Sequence, residues 1–196
     1  MELKIKAIVP EKTAVLVIDM QNSFVADGAP LYTDMGNKIL GSMAAFLDKC
    51  RGKGMRLIYT QETKPPEDGS FLIDGSPGHA VHPTVQPKEE DTVIKKRRYS
   101  GFFGTTMDLT LRDWKIDTVA IIGVCTDVCC FSTARDAMFL NYKVAFLSDM
   151  TGTFAFADRG YGAGDAQAQH DMALRNIAFT TGHVMTSDEF LALVQG

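Results

Sequence analysis

Residues 14–18, Ala-Val-Leu-Val-Ile, form an unbroken apolar run that stops at Asp19. A strand with one wet face alternates apolar and polar side chains. A run without alternation suits a strand covered on both faces, the habit of parallel sheets. The rest of the chain repeats the theme. Strands are expected at 56–60, 92–95, 118–123, 144–147 and 183–185. Helical spacing is expected at 37–51, 105–114, 129–140, 165–179 and 187–194. Gly52 and Gly54 stop the first helix, and Ser187 is expected to cap the last. Six strands alternating with helices imply an α/β, doubly wound, Rossmann-like parallel sheet with helices on both faces, built as one domain over residues 1–196. Neither an internal repeat nor a low-complexity linker breaks the pattern.

The stretch 61–90 is rich in Pro, Gly and acidic residues and reads as a long loop. Loops of that length in a compact domain are often functional. The 152–164 segment is a second candidate for a lid over a site. Net charge is -4, which offers no general attraction to nucleic acid or an anionic membrane. The run Lys95-Lys96-Arg97-Arg98 is a local exception, and by composition alone it is a solvated strand end. No stretch reaches the ~20 apolar residues that span a bilayer. The N-terminus interleaves charges with its apolar residues, unlike a signal peptide, so a cytoplasmic location is expected. In a reducing compartment the four cysteines Cys50, Cys125, Cys129 and Cys130 are expected as free thiols.

In sheets of this kind, ligands bind beyond the carboxyl ends of the strands. Three reactive residues fall there: Asp19 after the first strand, Lys96 after the third and Cys129 after the fourth. A cysteine in the first turn of a helix feels the partial positive charge of the free N–H groups. Its pKa is expected to fall, and those N–H groups can hold an oxyanion. A lone buried cysteine is more often inert; the strand–turn–helix context brings the two readings level. Asp19 becomes a general base only if it lies near Cys129, and Lys96 would then hold the carboxylate or the thiolate by charge. A metal or nucleotide cofactor finds little support. His79 and His82 lie three apart in the long loop and read as solvated rather than as metal ligands, and no Walker or G-x-G-x-x-G motif follows a strand. Cys125 and Cys130 read as buried packing residues, and His170 as structural. A thiol-redox protein, in which Cys129 pairs with Cys125 or Cys130, is the alternative from another class. A non-catalytic binding protein is a further one.

The segments Val15-Leu-Val-Ile-Asp19-Met-Gln-Asn-Ser-Phe24, Lys96-Arg-Arg-Tyr-Ser-Gly-Phe-Phe-Gly-Thr105 and Gly123-Val-Cys-Thr-Asp-Val-Cys129 resemble the isochorismatase-like cysteine hydrolases, in order and at matching intervals. The resemblance implies an Asp19–Lys96–Cys129 triad for covalent amide hydrolysis. It also implies a cis peptide before Cys125 and an oxyanion hole from the amides of Cys125 and Cys129. True isochorismatases lack the nucleophilic cysteine, and nicotinamidases carry an Asp-x-His metal motif after the second strand. This chain has Gln61-Glu-Thr-Lys64 at that place, so no metal is expected. The stretch Arg98-Tyr-Ser-Gly-Phe-Phe is most similar to the ureidoacrylate and biuret amidohydrolases. A small ureido, carbamoyl or primary amide substrate is implied, with a nicotinamidase- or maleamate-type amide as the alternative. Phe24, Tyr99 and Phe102 are candidate pocket walls, with a core role equally open to each. The resemblance further implies a homodimer or homotetramer, and the aromatics Phe154, Phe156 and Tyr161 are placed either at its interface or in a lid.

Overall fold

The computed structural model describes residues 3–195. Among them, β1 (Thr13–Ile18), β2 (Arg56–Glu62), β3 (Thr92–Lys96), β4 (Thr118–Val124), β5 (Lys143–Gly152) and β6 (His183–Met185) form one sheet. Every pairing is parallel, and the order is β3-β2-β1-β4-β5-β6. The expected doubly wound α/β fold is the one observed. Order reverses between β1 and β4, which opens the crevice at their carboxyl ends.

The unalternated run of β1 has the expected cause. All six of its residues are buried. Val15 and Val17 join one core cluster, with Met43, Phe46, Leu47 and Phe190. Ala14, Leu16 and Ile18 join the other, with Met107, Leu111, Ala134, Ala137 and Ile177. The first layer is supplied by α3 (Leu40–Gly52) and α7 (Ser187–Ala192), which follow the short α1 (Asn22–Val25) and α2 (Asp34–Lys38) in the helix series. The second is supplied by α4 (Met107–Asp113), α5 (Phe131–Phe139) and α6 (Ala166–Thr180).

Several boundaries differ from the sequence expectation. The helix expected over 37–51 is divided at Ile39 into α2 and α3. The last helix is capped by Thr186, not Ser187. Thr186 and Glu189 make a reciprocal capping box, while Ser187 Oγ donates to Asp149 Oδ2 at 2.7 Å. The helix expected from Cys129 is preceded by a π turn, Thr126–Cys130, and turns α-helical only at Phe131. β2 continues past Thr60 to Glu62, because Gln61 and Glu62 pair with Lys95 and Lys96 of β3. The loop therefore begins two residues later than its polar composition suggested. At Gly123, φ is +119°, and a Cβ there would lie 2.1 Å from the Ile18 carbonyl oxygen. Only glycine lets β4 approach β1 this closely where the site begins.

Candidate active site

Asp19 leaves β1 with φ of +51°, a left-handed conformation that short polar residues tolerate. Its Oδ1 accepts a 2.7 Å hydrogen bond from Thr60 Oγ1. Its Oδ2 lies 2.6 Å from Lys96 Nζ, with both side chains fully buried. Lys96 is the inward residue at the end of β3; Lys95 beside it faces outward and pairs with Asp74 at 2.7 Å. The basic run is thus not uniformly solvated: alternation along a strand sends Lys96 into the protein. Its ammonium also lies 3.6 Å from Cys129 Sγ and donates to the Arg98 carbonyl at 3.2 Å. The structure therefore brings Asp19, Lys96 and Cys129 together from three separate strand ends.

A fourth residue joins them. Glu62, at the end of β2, places Oε2 3.6 Å from Cys129 Sγ and 3.6 Å from Lys96 Nζ. Its Oε1 pairs with Lys64 at 2.5 Å. Sequence reasoning assigned residue 62 to a loop and so missed it. A strand continued to residue 62 would have put Ile58, Thr60 and Glu62 on one face. Asp19, Glu62 and Cys129 offer one ligand atom each within 4.8 Å of one another, the described residues' candidate set for a metal ion. These residues do not fit a metal, because the Lys96 ammonium already stands beside all three atoms.

Cys129 is 4% exposed. Burial, with Asp19 and Glu62 beside it, pushes the thiol well above its ordinary value of 9.0, against the pull of Lys96. The direction is opposite to the lowered pKa expected from the helix start: desolvation and the two carboxylates outweigh Lys96. Burial raises Glu62, but Lys96 and Lys64 outweigh it and hold the carboxyl below its ordinary value. Burial opposes charge on Lys96 too, and the surrounding Asp19, Cys129 and Glu62 raise its pKa despite that.

The turn that carries Cys129 is braced from two sides. Thr133 Oγ1 donates to the Cys129 carbonyl at 2.7 Å and accepts from the Gly101 amide at 2.9 Å. Thr126 Oγ1 lies 2.8 Å from His170 Nδ1. The Val124–Cys125 peptide is cis. Cys129 and Glu62 open onto a cleft of about 1060 Å³, lined also by Phe24, Lys64, Leu72, Tyr99, Cys125, Phe154, Phe156, Arg159 and Tyr161. Both stretches considered as lids contribute to its walls.

The Isochorismatase domain family matches residues 13–189. This chain belongs to that family. The isochorismatase-family chain is 32% identical to the ureidoacrylate amidohydrolase of Rhizobium rhizogenes, over 72% of this chain and 71% of that one. Its fold superposes on a cysteine hydrolase from Pseudomonas syringae pv. phaseolicola with a TM-score of 0.90 and 31% identity, covering 98% and 97% of the two chains. The N-carbamoylsarcosine amidase of Thermoplasma acidophilum superposes with a TM-score of 0.74 and 30% identity, over 90% of this chain and 97% of that one.

In this isochorismatase-family chain the other sequence candidates fall outside the cluster. Phe24 and Tyr99 line the cleft, but Phe102 does not. Phe102 packs in the second core layer, 6.0 Å from the Tyr142 ring. Phe102 lies in the turn six residues after Lys96, where no period marks which aromatic faces the cleft and which the core. His79 is not solvated: it is 3% exposed, and its Nε2 lies 2.8 Å from Thr63 Oγ1. His82 accepts from the Thr84 amide and caps a short turn. His170 is buried and braces the Cys129 turn. All four cysteines are free thiols, and Cys130 is sealed in the second core layer.

Proposed function

We propose that this protein is a cysteine amidohydrolase that cleaves the C–N bond of a small ureido, carbamoyl or primary amide substrate through a thioester. One observation carries the reading: a thiol, an ammonium and a carboxylate from three strand ends meet in a buried cluster that opens on a cleft. The names of the ureidoacrylate amidohydrolase and N-carbamoylsarcosine amidase relatives support the same bond type.

The resting thiol must lose its proton as it attacks, since a free thiolate is disfavoured here. Asp19 takes that proton while Sγ bonds to the carbonyl carbon, and the negative charge moves to the carbonyl oxygen. The amides of Cys125 and Cys129 hold this oxyanion. Collapse breaks the C–N bond, and Asp19 returns the proton to the leaving nitrogen, which departs as ammonia or an amine. Water then adds to the thioester with Asp19 as base, and the carboxylic product leaves with Cys129 restored as thiol. Lys96 stays protonated and offsets charge on Asp19 and on sulfur. Phe24 and Tyr99 serve as walls of the substrate pocket. In cells the enzyme works in the cytoplasm on a freely diffusing small molecule. Its chains assemble as a dimer or tetramer, with Phe154, Phe156 and Tyr161 covering the cleft or meeting a second chain.

Ammonia release over a panel of ureides, carbamoyl compounds and primary amides, nicotinamide and maleamate included, tests the reading. The wild type is expected to release ammonia from at least one member and to form an acyl-enzyme visible by mass spectrometry. Cys129→Ala is expected to lose both. Near-normal turnover by that variant would remove Cys129 as nucleophile.

A further inference from the structure

We propose that Glu62 sets the substrate class of this cleft. It accepts a hydrogen bond from the N–H that flanks the scissile carbonyl of a ureide, R–NH–CO–NH2, and so disfavours the plain carboxamide R–CH2–CO–NH2. The inference rests on the amidohydrolase reading above and deepens it.

Glu62 is built in place. The Gln21 side chain, fully buried, accepts from the Glu62 amide at 2.8 Å and donates to its carbonyl at 3.1 Å. One carboxylate oxygen is held by Lys64. Among the described residues the other accepts a hydrogen bond from the Cys129 thiol, with Sγ at 3.6 Å, and lies 3.6 Å from Lys96 Nζ. A carboxylate oxygen carries two acceptor sites, so one remains for a substrate N–H beside Cys129 and on the cleft wall. Asp19 differs: it is fully buried, its Oδ1 accepts from Thr60, and its Oδ2 lies 2.6 Å from Lys96 Nζ but has no hydrogen-bond partner among the described residues. The two carboxylates thus divide the work around one sulfur, Asp19 moving the proton and Glu62 meeting the substrate.

An ionised carboxylate accepts hydrogen bonds and donates none. Lys64 and Lys96 keep Glu62 ionised. The attacking sulfur stands ~3–3.5 Å from the carbonyl carbon in a near-attack geometry. Atoms one bond from that carbon then fall within hydrogen-bond reach of Oε2. With the leaving NH2 turned toward Asp19, which protonates it, the retained side of the carbonyl faces Oε2; a ureide presents N–H there, whereas a carboxamide presents CH2 and leaves a partly desolvated anion unmet. Sites that bond a polar group reject the isostere lacking it far more strongly than apolar pockets discriminate by size.

The test uses a matched pair built on whichever acyl tail the panel ranks first, one member a ureide and the other its CH2 analogue. Ammonia release gives kcat/KM for wild type, Glu62→Gln and Glu62→Ala, with circular dichroism reporting that each is folded. The wild type is expected to favour the ureide at least ~10-fold, and Glu62→Ala to lose about 10–100-fold on the ureide alone. Glu62→Gln keeps an acceptor oxygen and should fall between them. Three results would overturn the proposal: no wild-type preference, a preference that survives in both variants, or equal losses on both members. The last would place Glu62 in the chemistry of Cys129 instead. Absence of ammonia from every panel member is a separate failure, which removes the amidohydrolase reading itself.

Discussion

At Cys129 two carboxylates and one ammonium act on a single thiol. Coulomb attraction to Lys96 is not enough to ionise it, because burial and the carboxylates act the other way. In the proposed mechanism, proton removal is coupled to attack and Asp19 is the base. Asp19→Asn is expected to bind substrate with KM changed less than ~3-fold but to lower kcat about 10²–10⁴-fold, in thioester formation and hydrolysis alike. Rapid-quench measurement of both half-reactions checks this, and retention of full kcat would remove Asp19 as the acid/base. The variant also removes charge facing the fully buried Lys96, so thermal unfolding should accompany the kinetics; stranding a buried charge costs about 3–5 kcal/mol. Asp19, Lys96 and Cys129 were legible in the sequence because Asp19 follows and Lys96 ends a strand, and Cys129 sits in the short turn from β4 into a helix. Glu62 was not, because its polar neighbours Gln61 and Thr63 concealed the end of β2.

At the scale of elements, the π turn Thr126–Cys130 joins β4 to α5 and is pinned to α6 through Thr126 and His170. Burial lowers the His170 pKa below its ordinary 6.5, with Asp171 and the Ser148 backbone opposing. The fold thus favours the neutral ring. Nothing is lost above pH ~6.5; as pH falls below it, the unfolded chain takes up the proton first and stability declines. Between pH 8 and 5.5 the wild-type Tm is expected to drop more than that of His170→Gln, which cannot titrate but can still bond Thr126. Differential scanning calorimetry at both pH values measures the difference, and parallel drops would contradict this account. The sequence placed His170 in a helix and read it as structural. It could not say which turn that helix braces, since the two residues stand 44 apart.

For the whole molecule, the strand order puts the reversal between β1 and β4, with β2 and β3 on one side completing the site. On another surface, Phe139 and Phe179 are 64% and 87% exposed. Arg135 lies over the rings of Phe131 and Phe139 and donates to Thr180 at 2.8 Å, linking α5 to α6 there. Contiguous exposed apolar patches mark interaction sites, and Arg135 ties together the helix ends that carry these two rings. Light scattering coupled to gel filtration is expected to give a dimer or tetramer mass, and Phe179→Glu to reduce it. A wild-type monomer at every concentration would contradict the assembly.

The order of strands and helices, burial on both faces of the sheet and the three strand-end residues were determined by the sequence itself. Hydrophobic periodicity records how each segment meets its immediate surroundings, and a doubly wound sheet leaves only one region where its strand ends converge. The tertiary structure decided what periodicity cannot carry. It put Glu62 at a sulfur 67 residues away, drew Phe102 into the core beside Tyr142, and raised the Cys129 pKa by burial. Each of these depends on which distant groups share a volume closed to water, and that volume exists only once the layers have packed.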